Sequence, residues 1–286
     1  MSPYLSQLIA VSSIDVIIAM ALYVTILSGQ LSVTQAALMG MGGYASGLLA
    51  MNLHWPLWLA LVVPALGMAI VGGLLSGLLA RLRGFYLSIA TLAFGETMVV
   101  LATNIPQLGG ADGLSGIPLD VTMPVVLVSA IVVTIAVAWW ERSQIGIITR
   151  AIGEDDVAAA AIGIDVRKIK IASFFFGGLL AGFAGGLNAH YIGLVAPTDM
   201  NFQAEVTLFF YVGIGGMSTY LGALVGAIVV SVLPELLRFS IYDRYLVFGL
   251  LLAGMMIVRP YGLVVRRVRG AARLKVPSPE KERANA

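Results

Sequence analysis

Two carboxylates, Asp15 and Glu96, lie inside runs of sequence that are otherwise apolar. A charge in such a place is costly unless it is paired or faces water. Glu96 therefore reads either as a group lining a polar path or as the partner of a backbone or hydroxyl group. Asp15 allows the same two readings, nearer an end of its run. His190 is expected at the outer membrane boundary, with no second ligand beside it, and a lone histidine makes no metal site. The absence of cysteine excludes disulfides, thiolate metal sites and a thiol nucleophile. No G-x-x-x-x-G-K-[ST] phosphate loop occurs, and no His-rich, Ser-Lys or paired-Asp set falls within the apolar runs. These residues suit conduction and gating rather than bond making.

The elements that must position them follow from composition. The 286 residues are 59% hydrophobic and 11% charged, with a mean hydropathy of +0.95. Soluble domains carry about a quarter charged residues, so a soluble domain is excluded and spans of about 20 residues are required. Apolar runs fall at 8–27, 31–51, 59–80, 85–103, 121–140, 171–190, 206–216, 221–237 and 245–258. The expectation is an all-α, polytopic integral membrane bundle with interrupted helices. It has nine spans if 206–216 crosses, and eight if that segment or an early one is re-entrant. Trp55, Trp58, Trp139 and Trp140 stand at run ends, where indole rings favour the membrane–water interface. The first residues, MSPYLSQLIA, lack the positive flank of a cleaved signal, so the first span is expected to remain.

No Lys or Arg precedes Arg81, and fifteen of the 17 basic residues fall in three regions: Arg81 with Arg83, residues 142–170, and the tail from Arg259. Placing these regions in the cytoplasm satisfies the positive-inside rule. Asp112, Asp120, Asp199 and Glu205 then lie in the opposite loops, and Arg238 and Arg244 are exceptions. Residues 1–262 read as a single transmembrane domain that includes a cytoplasmic loop at 141–170, followed by a basic tail at 263–286 that suits a membrane surface. Basic residues flank apolar ends rather than form a stripe, which speaks against nucleic acid.

The longest charged stretch between spans is 150–170, RAIGEDDVAAAAIGIDVRKIK. Glu154, Asp155 and Asp156 sit where a helix would begin, at its positive end. Alanines including Ala158 and Ala159 follow, and Gly163 suits the left-handed residue that closes a helix. The pattern predicts a helix over 154–162. Its small side chains would let a partner's groove approach the backbone; an amphipathic connector on the membrane surface is the alternative.

Two other places read as interrupted. Ser28-Gly29-Gln30 breaks a run, with Ser32 placed to cap a half-helix, although an ordinary loop fits as well. Residues 213–222 hold Gly215-Gly216 and Ser218-Thr219. Transporters bind cargo at such breaks, which makes Gly29, Gln30, Ser32, Thr34, Gln35, Glu96, Gly215 and Gly216 candidates for a translocation path. Gly178, Gly182 and Gly186 recur every four residues, as do Gly222 and Gly226, a spacing that permits close helix crossing within the chain or against a partner.

The E-D-D-V-A-A-A-A-I-G run resembles the cytoplasmic loop of ABC importer permeases. In order along the chain, LSGQLSVTQAALMGMGGYAS, RLRGFYLSIATLAFGE, GGADGLSGIP, FFFGGLLAGFAGGLNA, VGIGGMSTYLGALVGA with LPELLR, and FGLLLAGMMIVRPYGL resemble the LivM-type permeases of branched-chain amino-acid ABC transporters. The likeness runs from Leu27 to Leu263. It implies a non-catalytic subunit in a bacterial inner membrane, embedded in lipid. Its partners would be a second permease of LivH type, two cytoplasmic ATPases holding ATP and Mg, and a periplasmic or extracellular substrate-binding protein. This chain would hold no cofactor or metal. The ATPase-docking loop would comprise Arg150, Glu154, Asp155, Asp156, Ala158, Ala159 and Gly163. Thr34-Gln35 stands where the family often shows a glycine and a histidine, which bears on substrate choice. A mostly apolar path suits branched-chain or related hydrophobic amino acids, and suits urea or short amides too. The reading from another class is an ion-driven secondary transporter, with Asp15 and Glu96 as its ion site.

Overall fold

A computed structural model describes residues 3–82, 84–236, 249, 254 and 262–264. Arg83, Arg238, Arg244, most of the 245–258 run and the tail beyond residue 264 lie outside the described residues. In lipid a helix satisfies its own backbone, and the described residues are correspondingly mostly helical. The helices are α1 (Pro3–Leu27), α2 (Gln35–Leu53), α3 (Leu57–Leu78), α4 (Phe85–Asn104), α5 (Met123–Arg142), α6 (Gln144–Glu154), α7 (Asp156–Ala161), α8 (Val166–Ile192), α9 (Phe202–Gly215) and α10 (Tyr220–Leu236).

Among the described residues, α1, α3, α4, α5 and α8 are long and apolar enough to cross a membrane. The apolar runs at 206–216 and 221–237 do not form two straight spans. They are arms of one element, with α9 and α10 bent by 119° at a short break, which brings the count of possible spans to 6. Gly-rich α2, with polar Gln35, Ser46 and Asn52, falls outside that set.

α1 and α8 form the centre. The apolar window of α1 is 78% buried, against 22% for α4 and for α5, which therefore stand at the periphery. Lipid supplies little hydrophobic drive between helices, so close packing of small residues has to hold them together. A Cβ on Gly178 would collide with the Met68 carbonyl oxygen of α3; one on Gly182 would lie 2.8 Å from Met68 Cβ, and one on Gly186 2.8 Å from Leu61 Cδ2. A Cβ on Gly42 of α2 would lie 2.6 Å from Gly182 Cα. The α8 glycines are thus spent on α3 and α2 of the same chain rather than on a second subunit. Gly222 and Gly226 likewise face the backbone of α9, at Gly216 and Tyr211.

On one side of the bundle the loops after α4 and α8 are stitched by a two-residue antiparallel ladder, β1 (Leu114–Ser115) on β2 (Leu194–Val195). His190 lies in the last turn of α8. It is fully buried, with Nδ1 3.0 Å from the Pro118 carbonyl and Nε2 3.1 Å from Ser46 Oγ, so it pins that loop to α2.

Candidate functional site: two helix breaks and the segment beneath them

The first break, between α1 and α2, is a knot of buried polar groups. The Ser28 hydroxyl donates to the Thr25 carbonyl (2.7 Å), and Gln30 Nε2 donates to Ser76 Oγ of α3 (3.3 Å). Ser32 and Thr34 hydroxyls lie 2.7 Å apart, and Gln35 Nε2 reaches Thr25 Oγ1 at 3.4 Å. Helix α4 closes one side: Thr91 Oγ1 accepts from Val33 N (3.0 Å), and the Ser88 hydroxyl donates to the Leu31 carbonyl (2.7 Å).

Ser32 does not cap α2. Thr34 holds the cap position, and its side chain makes no capping bond. The first amides of α2 are instead taken by a carboxylate from elsewhere: Glu205 Oε2 accepts from Ala36 N at 2.7 Å and also bonds Gln35 N. Glu205 was expected in an outer loop, yet it is buried in the first turn of α9, whose start is capped by Asn201 Oδ1 on Ala204 N (2.9 Å). A negative group at a helix N-terminus is favourable. It fills the place at which a half-helix would otherwise present free N–H groups to an anion.

Glu96 has a backbone partner too. Its Oε1 accepts from Phe202 N at 3.0 Å, tying α4 to the head of α9, while the residue stays exposed on the outer face of α4. Asp15 is held by the Ser231 hydroxyl (2.5 Å) and by Tyr211, which joins α1 to the bent pair. Among the described residues no group of three His, Cys, Asp or Glu could hold a metal.

The second break is the bend itself. Gly216 has φ 113°, which a residue with a Cβ rarely adopts. The carbonyls at the end of α9 are satisfied by the chain returning at 262–264: Leu263 N donates to Ile214 O (3.1 Å) and Val264 N to Gly215 O (3.0 Å). Gly215 packs against Gly222 and Gly226.

Beneath both breaks runs the charged segment. The helix expected over 154–162 is shorter, α7 over Asp156–Ala161, and Glu154 belongs to the helix before it. α6 ends at Glu154, and Asp155 leaves helical geometry to cap α7, its Oδ1 accepting from Val157 N and Ala158 N at 2.9 Å each. Three acids in a row therefore divide their work: Glu154 ends one helix, Asp155 caps the next, and Asp156 pairs with Lys170 (3.2 Å). Gly163, at φ 88°, follows α7. Ala158 is exposed and Ala159 buried, so only part of the alanine run is open to contact. The exposed residues include the apolar pair Val157 (64%) and Ile162 (78%), which stand out in a polar segment. A polar cavity of about 320 Å³ opens between this segment and the first break, lined by Gly29, Gln30, Gly153, Glu154, Asp156 and Lys170.

Arg150 points inward instead of joining the exposed set. Its Nη2 donates to Glu141 Oε1 at 2.6 Å and to the Ser218 carbonyl at 3.3 Å. Burial opposes its charge and is the largest single influence, but the bonds and charge interactions with Glu141 and Tyr23 together outweigh it and hold the guanidinium above its usual pKa. Glu141 and Tyr23 carry no sequence signal for this role. They lie 118 residues apart, on different helices, and only the fold joins them.

With this geometry in place, residues 4–259 match the family described as the permease component of the branched-chain amino acid transport system. The chain belongs to that family. Over 88% of its length the permease is 30% identical to the high-affinity branched-chain amino acid transport permease protein LivM of Escherichia coli K12, spanning 68% of that protein. It is 24% identical, over 82% of its length and 77% of the relative, to the ribose import permease protein RbsC of Haemophilus influenzae. A shorter match, 28% identical over 43% of the chain and 41% of the relative, is to a probable LivH permease of Methanocaldococcus jannaschii. No solved structure matches. The permease is accordingly an all-α, multi-pass membrane protein, and its family extends to sugar permeases.

Proposed function

We propose that this permease is one of two membrane subunits of a bacterial inner-membrane ABC importer carrying branched-chain or related hydrophobic amino acids. The second would be a LivH-type permease. Two cytoplasmic ATPases, holding ATP and Mg, would supply the energy, and a periplasmic or extracellular binding protein would deliver the cargo. The observation that carries this reading is α7 with Gly163. Six-residue α7 and the Ile162 that follows it leave Val157 and Ile162 exposed instead of burying them, directly beside a segment that contacts both helix breaks. Exposed apolar side chains on a short polar-flanked helix fit the groove of a docking partner. An ATPase bound there would shift the bundle between states according to its differential affinity for them.

The cargo reading rests on kinship with LivM and on the apolar surroundings of the path. The test is to purify the tagged permease from its native membrane, identify what accompanies it, and compare uptake of leucine, urea and ribose by the reconstituted assembly. Two ATPases, a second permease and preferential leucine uptake are expected. A chain that purifies alone and moves solute along an ion gradient would overturn the reading in favour of a secondary transporter.

A further inference from the structure

α6 lies against both breaks at once. Near its C-terminal end Gly153 meets the first: a Cβ there would collide with the Leu27 carbonyl oxygen, and a Cβ on Gly29 would lie 3.1 Å from Gly153 Cα. About one turn earlier, Arg150 meets the second break through the Ser218 carbonyl (3.3 Å) and through Glu141. Glu141, at the end of α5, uses its other oxygen to accept from the Tyr23 hydroxyl of α1 (2.9 Å) and from the backbone N–H of Tyr220, the first residue of α10 (3.1 Å). One ion pair therefore touches α1, α5, α6, the break itself at Ser218 and the first residue of α10. The Glu141 side chain is 7% exposed and that of Arg150 22%, so water and salt screen the pair little.

We propose that Glu141 and Arg150 are a positioning pair that ties the docking segment to the bend between α9 and α10, so that displacement of α7 reaches both helix breaks through α6. This rests on reading α7 as the ATPase-docking helix. The physical case is that α6 has little freedom to move alone. Backbone-to-backbone contact at Gly153 leaves no side chain to yield. At Arg150 the guanidinium makes charge-assisted bonds, which are short and directional. Energetic coupling between distant sites needs such a rigid element joining parts that have two arrangements. Glu141 and Arg150 lie too deep to serve as the ATPase's own contact surface, and neither needs to touch cargo.

The experiment uses the complete transporter in liposomes and reads basal ATP hydrolysis, uptake, and uptake per ATP consumed. Co-purification of the unmodified chain with its ATPase comes first; its failure would sink the docking reading, separately from the pair. In Glu141→Gln an oxygen remains for Tyr23 and Tyr220 while the ion pair is lost. Basal hydrolysis should hold, and uptake per ATP should fall about tenfold, within the range of coupling between linked sites. Arg150→Lys, which keeps the charge, should lose less. Because an unpaired buried charge can itself unfold a protein, the neutral double variant Glu141→Gln with Arg150→Met is measured beside it. Continued loss of uptake per ATP in an assembled double variant supports the pair. Retained uptake per ATP in Glu141→Gln, or full recovery in the double variant, overturns it, as does failure of both variants to assemble.

Discussion

At the residue scale, the acids within the apolar helices hold those helices to one another. Glu205 joins α9 to the head of α2, Asp15 joins α1 to α10, and Glu96 joins α4 to the head of α9. Replacing Glu205 with Ala would leave buried amides of α2 without their acceptor, at a cost of about 1–3 kcal/mol. Glu205→Gln, which keeps an oxygen, should lose less, and thermal unfolding in detergent would separate the two. His190→Leu removes the donor between Pro118 and Ser46 and should lower stability by a similar, roughly 1–3 kcal/mol, amount. If its midpoint equals that of the unmodified chain, the histidine holds no loop. The sequence made Asp15 and Glu96 conspicuous because an acid stands out in an apolar run. Glu205 and Glu141 escaped notice because each sits at a run's edge, where acids are ordinary, and their partners are 169 and 118 residues away.

Among the elements, the charged segment before α8 was visible as an interruption, and its alanines announced a helix. What could not be read was the division at Asp155, because three adjacent acids offer three equivalent starting points for a helix, and only tertiary packing selects one. The bend between α9 and α10 was legible from Gly215-Gly216, but its angle depends on the returning residues 263 and 264, which are distant in sequence. Gly163→Trp should uncouple hydrolysis from uptake while leaving the bundle folded, since no atom lies within 4 Å of a Cβ there, although φ 88° strains the turn. Fully coupled transport by that variant would count against α7 as the docking helix. At the head of α8, Asp165 Oδ1 accepts from Lys168 N (3.1 Å) and its other oxygen pairs with Lys168 Nζ (3.0 Å). These contacts with Lys168 lower the carboxyl pKa below its ordinary 3.8. A carboxylate lowered on folding stabilises above its unfolded pKa and ceases to as the pH falls through the folded value. The Lys168 amide resonance should therefore titrate below the ordinary carboxylate range, and should stop doing so in Asp165→Ala.

For the molecule as a whole, the two peripheral helices differ in what they expose. α5 shows Val128, Ile131, Val132 and Ile135, a face suited to lipid. α4 shows Val100 and Leu101 but also Glu96 and Thr97, and a carboxylate against hydrocarbon is costly. The α4 face should therefore meet protein or water in the assembled transporter. Since the chain has no cysteine, Thr97→Cys and Val132→Cys can be compared directly. A membrane-impermeant maleimide, or a cross-linker to the second permease, should react at position 97 and not at 132; equal reactivity would remove the distinction. The glycine seam of α8 with α2 and α3 has a consequence for motion. Where backbone rests on backbone there is no compliant side chain to absorb a slide, so α2, α3 and α8 behave as the stator of the machine. Amide exchange should be slowest along that seam, leaving the bent pair of α9 and α10 as the part free to act as the rotor.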